Sequence, residues 1–149
     1  MSRTGGYQGK SIAMFNRLDQ VTDDWKSLTD LASILEEEFN REYFRARRIV
    51  TEWAEVRGES ITRAKVGRTV FYISHPNAVP NVNMLAEKYW GELPTYFRRE
   101  RDFSKLSPDD RLHAVLLAYG FYIHGRKDCK TAFNKFAASH RLWKIQKEL

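Results

Sequence analysis

Apolar residues fall into three successive helical patterns, switch to a β pattern near the middle of the chain, and then return to helical spacing. Ile12, Phe15 and Leu18, with Val21 or Trp25 beyond them, lie three to four apart after Ser11, a residue suited to capping. This spacing predicts a first helix over Ser11–Thr22. Ser27 with Asp30 three places on has the form of a capping box, and Leu28, Leu31, Ala32 and Leu35 follow on one face, which predicts a short amphipathic helix. Glu36, Glu37, Glu38 and Phe39 then lead to Asn40, whose side chain can accept from the free N–H groups that open a helix. A third helix is therefore expected from Asn40 to Val56, stopped by Gly58. Wound at about 100° per residue, it places Tyr43, Ala46, Val50, Trp53 and Ala54 on one side and Arg41, Arg45, Arg48 and Glu52 on the other.

After Gly58 the β-formers of Ser60–Val66 and Thr69–Ser74 flank Gly67-Arg68, the pattern of a hairpin. Near its tip lie Arg63, Lys65 and Arg68. Such cations can grip a phosphate backbone, or they can protect an edge strand from aggregation. In the second half, Asn81 can cap a helix that runs to Trp90, with Val82, Leu85, Ala86 and Tyr89 at helical spacing, and Leu93-Pro94 then breaks the chain. Ser107-Pro108-Asp109-Asp110 combines a cap, a first-turn proline and two dipole-compatible acids, so a helix with Leu112, Val115, Leu116 and Tyr119 as its buried stripe starts there. A last helix is expected over Lys127–Lys147, gathering Cys129, Ala132, Phe133, Phe136, His140 and Trp143 on one face. That apolar face needs a partner, either the first half of the chain or a second copy of it.

The length of 149 residues suits one domain or two small lobes. His75-Pro76-Asn77-Ala78-Val79-Pro80-Asn81 has the breaker composition of a linker, and residues 1–10 that of a flexible tail. The expected organisation is thus a tail over 1–10, a lobe over 11–74, a linker over 75–81 and a helical lobe over 82–149. With 42% hydrophobic and 30% charged residues the chain should fold as a globular protein. The longest apolar run, Ala114 to Ile123, is too short to span a membrane, and the first residues lack the apolar centre of a signal peptide. One cysteine, Cys129, allows no internal disulfide, so a reducing, cytoplasmic setting is expected.

Twenty-five Lys and Arg against nineteen Asp and Glu leave a net +6, which favours an anionic partner. The excess is uneven. Residues 41–74 hold eight basic and four acidic residues and 96–149 hold twelve and six, whereas 1–40 hold four and seven. Within the second region Tyr96-Phe97-Arg98-Arg99-Glu100-Arg101 mixes aromatics with arginines, a composition suited to nucleic-acid backbones, although Tyr96 and Phe97 also read as buried anchors. Arg98, Arg99 and Arg101 form a candidate secondary basic patch. His113, His124, Cys129 and His140 match no zinc spacing, Cys129 lacks the surroundings of a nucleophile, and Gly5-Gly6 with Gly9-Lys10 lacks the strand and the full pattern of a phosphate loop. No enzymatic site, metal or cofactor is expected.

A short helix over Ser27–Leu35, a turn, a longer basic helix over Asn40–Val56 and a basic hairpin over Ile61–Ile73 together resemble a winged helix-turn-helix DNA-binding domain across residues 11–74. The resemblance implies a mostly helical fold with a small β-hairpin, in which the third helix enters the major groove of double-stranded DNA. It implies recognition-helix contacts from Asn40, Arg41, Glu42, Arg45 and Arg48, and wing contacts from Arg63, Lys65 and Arg68. The function it implies is that of a sequence-specific transcriptional regulator, bacterial or phage in type, acting as a homodimer without a catalytic step. The alternatives are a protein-interaction adaptor or inhibitor working through the helical C-terminal half, and an RNA-binding or replication-initiation protein.

Overall fold

The computed structural model describes the backbone of residues 3–146 and the side chains from Ile12 onward. The elements run α1 (Arg3–Val21), β1 (Lys26–Ser27), α2 (Leu28–Phe39), α3 (Tyr43–Arg57), β2 (Thr62–Val66), β3 (Thr69–Ile73), α4 (Val82–Trp90), α5 (Thr95–Arg99), α6 (Pro108–Tyr122) and α7 (Lys127–His140). The chain is mostly helical with a small antiparallel sheet of three strands. It divides into two compact units, one made of Met1–Lys65 with Thr69–Val79 and the other of Val66–Arg68 with Pro80–Leu149.

In the first unit, α1 begins at Arg3, eight residues before the expected Ser11, so Arg3–Lys10 of the segment expected as a flexible tail belong to the helix, while residues 1 and 2 lie outside the described residues. Once later turns are anchored, each added residue gains a backbone hydrogen bond without a new nucleation cost, and glycines are carried along. The anchors are Met14 and Leu18, one turn apart and fully buried, whereas Ile12 lies on the other side and is exposed. Ser27 caps α2 as expected, its Oγ accepting from the Asp30 N–H at 3.0 Å. Leu31, Ala32 and Leu35 then pack against Ala46, Val50 and Trp53 of α3, which are completely buried.

Asn40 does not open α3. It ends α2 in the left-handed conformation, with φ of 54°, and its N–H donates to the Leu35 carbonyl, a conformation that asparagine tolerates better than most residues. Glu42 caps α3 instead, its Oε1 accepting from the Arg45 N–H at 3.1 Å. A network secures α3 to α1: Asp19 Oδ1 accepts from the fully buried Trp53 indole at 2.8 Å, and Arg57 donates to both Asp19 oxygens at 2.8–3.2 Å.

The sheet has the order β1-β3-β2. Its first strand is only two residues long, registered as Lys26 opposite Tyr72 and Ser27 opposite Phe71. The Ser74 N–H extends this pairing to the Thr22 carbonyl at 2.8 Å, and the Thr22 and Ser74 hydroxyls bond each other. Gly67, with φ of 61°, makes the tight turn between β2 and β3 that few side chains would accept.

In the second unit, Asn81 and Ser107 cap α4 and α6 by accepting from Met84 N–H and Asp110 N–H. Leu85, Ala86 and Tyr89 of α4 are buried with Leu112, Val115 and Ala118 of α6 and with Phe133 and Ala137 of α7. The expected final helix is cut short. It ends at His140 because Arg141 turns left-handed, with φ of 58°, so Trp143 leaves the helical face and stands 65% exposed. Lys147, its expected end, lies outside the described residues.

Candidate nucleic-acid interface

One side of α3 is consumed by the core, which fixes what the other side presents. Around the exposed side stand Arg45, Arg47 and Arg48, with Arg41 half-buried just before the helix. Arg41, Arg45 and Arg48 line a groove of about 400 Å³ together with Glu52, Met14 and Ile49. Three guanidinium groups around one groove, each with fork geometry, are suited to binding phosphate or the edge of guanine. Arg47 lies on the opposite flank, its guanidinium 5.8 Å from the Tyr43 ring centre.

Of the remaining residues expected on this helix, Asn40 and Glu42 serve its ends. Glu42 spends one carboxylate oxygen on the Arg45 backbone and Asn40 closes α2, so their primary work is to aim the arginine face. The glutamates of α2 are dispersed: Glu38 accepts two hydrogen bonds from Arg17, at 2.7 and 3.0 Å, which draws its charge toward α1. Phe44, which neither charge nor the buried stripe marks, is 68% exposed in the first turn of α3 with its ring edge-on to Tyr43 at 5.6 Å. The signal was available in the helical wheel, where Phe44 and Arg48 fall on one line.

On the hairpin, Arg63, Lys65 and Arg68 are all exposed. Arg63 and Lys65 alternate with Thr62, Ala64 and Val66 along β2, so both project from the same face of the strand. Arg63 also makes a long contact of 3.4 Å with the Ala54 carbonyl. Beneath, Tyr72 packs edge-on to Trp53 at 5.8 Å, and burial raises its phenol pKa above the usual value.

The secondary patch comes apart. Arg101 is turned inward, with only 4% of its side chain exposed; it donates to the carbonyls of Phe97, Trp143 and Lys144 at 2.7–2.9 Å and stacks 3.9 Å from the Phe97 ring centre. Arg98 donates to the Leu93 carbonyl at 3.0 Å, while Arg99 remains exposed. Phe97 is a buried anchor but Tyr96 is not, being 51% exposed. A short helix closed by its own arginines can bury a cation only where carbonyls from elsewhere meet it, and Trp143 and Lys144 supply them.

His113 and His140 both pack on Phe136, whereas Cys129 lies against Gly120. His140 stacks on Phe136 at 3.9 Å and approaches Asp110 at 3.5 Å, while burial lowers the pKa of His113 and pushes the Cys129 thiol up. Among the described residues, no group of three or more His, Cys, Asp and Glu side chains is placed to hold a metal ion. Among the same residues, no helix is long and apolar enough to cross a membrane. No family model matches the chain, and neither a curated protein nor a solved structure matches it.

Proposed function

We propose that the first unit binds double-stranded DNA as a winged helix-turn-helix module, and that the protein is a sequence-specific transcriptional regulator. The observation that carries the reading is the arginine face of α3, aimed away from a core that holds the opposite face of the same helix. The order α1, β1, α2, α3, β2, β3, with β3 between its partners, also resembles that of winged helices. At fifteen residues α3 is about 22 Å long, a size that lies comfortably in a major groove. Arg45 and Arg48 read bases or fix register there, Arg41 holds phosphate, and Arg63, Lys65 and Arg68 of the hairpin grip the flanking backbone. A homodimer would present two such faces to two half-sites.

Fluorescence anisotropy with a mixed-sequence duplex and its matched single strand tests this directly. If Arg41, Arg63, Lys65 and Arg68 meet phosphate, duplex affinity falls roughly a hundredfold between about 50 and 200 mM salt. No binding at the lower salt, or tighter binding to the single strand, overturns the reading. A second reading, contact with another protein through the second unit, is favoured by Met84, Tyr96, Ile123 and Trp143, which are 44–65% exposed there. It takes precedence if neither nucleic acid binds.

A further inference from the structure

Wound at about 100° per residue, α3 places Phe44, Arg48, Thr51 and Glu55 on one line down the middle of its exposed side, with Arg45 and Arg47 flanking that line. Phe44 is therefore the foremost side chain of the N-terminal half, not a residue at the margin of the core. Its ring is held by its neighbour. Tyr43 is buried, reaches Thr29 of α2 at 3.4 Å, and meets the Phe44 ring edge-on at 5.6 Å, so the exposed ring is supported from a fixed base.

The surroundings decide what such a ring can meet. Arg41, Arg45, Arg47 and Arg48 all lie within one turn or so of Phe44, so a large exposed apolar group stands alone among four cations. Aromatic rings and arginines also serve protein interfaces, but four guanidinium groups around one ring call for a densely anionic partner. A polyanion that satisfies the arginines offers one apolar group on its major-groove edge, the 5-methyl of thymine.

Resting on the DNA-binding reading above, we infer that Phe44 is a specificity-determining residue that reads thymine, its ring packing against a 5-methyl group in the major groove while Arg45 and Arg48 fix the register. Arginine contacts select guanine or phosphate and leave A·T positions unread, so Phe44 supplies the part of the code that the cations cannot.

The test begins by enriching binding sites for the full chain from a randomised duplex pool, then resynthesising the enriched duplex with each thymine replaced in turn by uracil. Uracil keeps the base pair and the O4 acceptor and removes only the methyl. At one or two positions the native chain should lose about fourfold in affinity, the effect of exposing one methyl group. In Phe44→Ala those same positions should become indifferent to uracil, while Arg45→Ala weakens binding and keeps the uracil effect. Uracil tolerated everywhere, or a uracil penalty unchanged in Phe44→Ala, overturns the inference while duplex binding itself survives. A Phe44→Ala variant that loses more affinity for the single strand than for the duplex also overturns it, since the ring would then be stacking on bases. Failure to enrich any duplex overturns this inference together with the DNA-binding reading. Phe44 is outside the core, so an unchanged urea midpoint for Phe44→Ala certifies that the comparison is between folded proteins.

Discussion

Replacing Arg101 with methionine removes a cation that holds three backbone carbonyls and keeps most of the apolar volume over Phe97. In the native chain Nε donates to Trp143 O at 2.8 Å, Nη2 to Lys144 O at 2.7 Å and Nη1 to Phe97 O at 2.9 Å. A hydrogen bond to a charged donor contributes about 1.5–3 kcal/mol, but two of these three lie near solvent, and burying the guanidinium carries a desolvation cost that is visible as a lowered pKa. Taking about 1 kcal/mol net for each bond gives a loss of about 3 kcal/mol. The segment after α7 should loosen with it, because only the burial of Ile145 and its paired bonds to Asn134 at 2.7 and 3.1 Å, among the contacts described, would then hold it. Urea unfolding followed by tryptophan fluorescence measures the loss, with Arg99→Ala as the exposed control expected to stay within about 0.5 kcal/mol of native. If Arg101→Met left the urea midpoint unchanged and instead lowered duplex affinity severalfold, Arg101 would be a nucleic-acid contact and the clamp would be refuted.

Asp19→Asn should cost about 1 kcal/mol at neutral pH, a value discounted for the partial exposure of the carboxylate that receives Trp53 and Arg57. Burial alone would raise the Asp19 pKa, but the Arg57 guanidinium and the Trp53 indole outweigh it and hold the carboxyl below its ordinary range, so the native advantage is complete above about pH 3.9 and disappears as pH falls through the lower folded value. Urea titrations of both proteins at several pH values should converge in acid; a gap that widens there would be the wrong sign. A methyl at Gly120 would meet Cys129 Sγ at 2.5 Å and its Cβ at 3.2 Å, so Gly120→Ala should destabilise by about 1–2 kcal/mol, and by clearly less in a Cys129→Ala background; equal penalties in both would refute the steric account. Arg45→Ala should weaken an enriched duplex roughly tenfold or more while flattening its base preference, whereas Lys65→Ala should weaken every duplex alike and make the salt dependence shallower, as anisotropy across a panel of sequences reads out.

The parts of the fold that could be read in advance are those set by neighbours in the chain. Ser27, Asn81 and Ser107 each cap a helix through a donor three residues away, so the whole interaction lies within four letters. The buried side of α3 was legible for a related reason, since Ala46, Val50 and Trp53 repeat with the period of the helix that buries them. Asn40 was misread because asparagine suits both the start of one helix and the left-handed end of another, and only the Glu42 side chain, by taking the opening N–H, separates the two. The end of α7 had no local mark: Arg141 adopts a conformation usually left to glycine, and carbonyls beyond it are claimed by Arg101 some forty residues earlier. Strand β1 exists only through its pairing with β3, and two residues carry no periodicity to detect.

The same distinction governs the charge. A count of basic residues treats Arg17, Arg57, Arg98 and Arg101 as equals of Arg45 and Arg48, yet the first four are spent on Glu38, Asp19 and backbone carbonyls. Subtracting them removes two-thirds of the patch that composition suggested over 98–101 and leaves the arginines of α3 standing with Arg63 and Lys65 of β2, all on the unit whose third helix is half-buried and half-presented. A net positive charge by itself would fit any acidic partner. On the proposed reading, cations set along an exposed helix and a neighbouring β-strand, with an aromatic ring foremost among them, would meet an extended polyanion that carries apolar marks at intervals, as duplex DNA does.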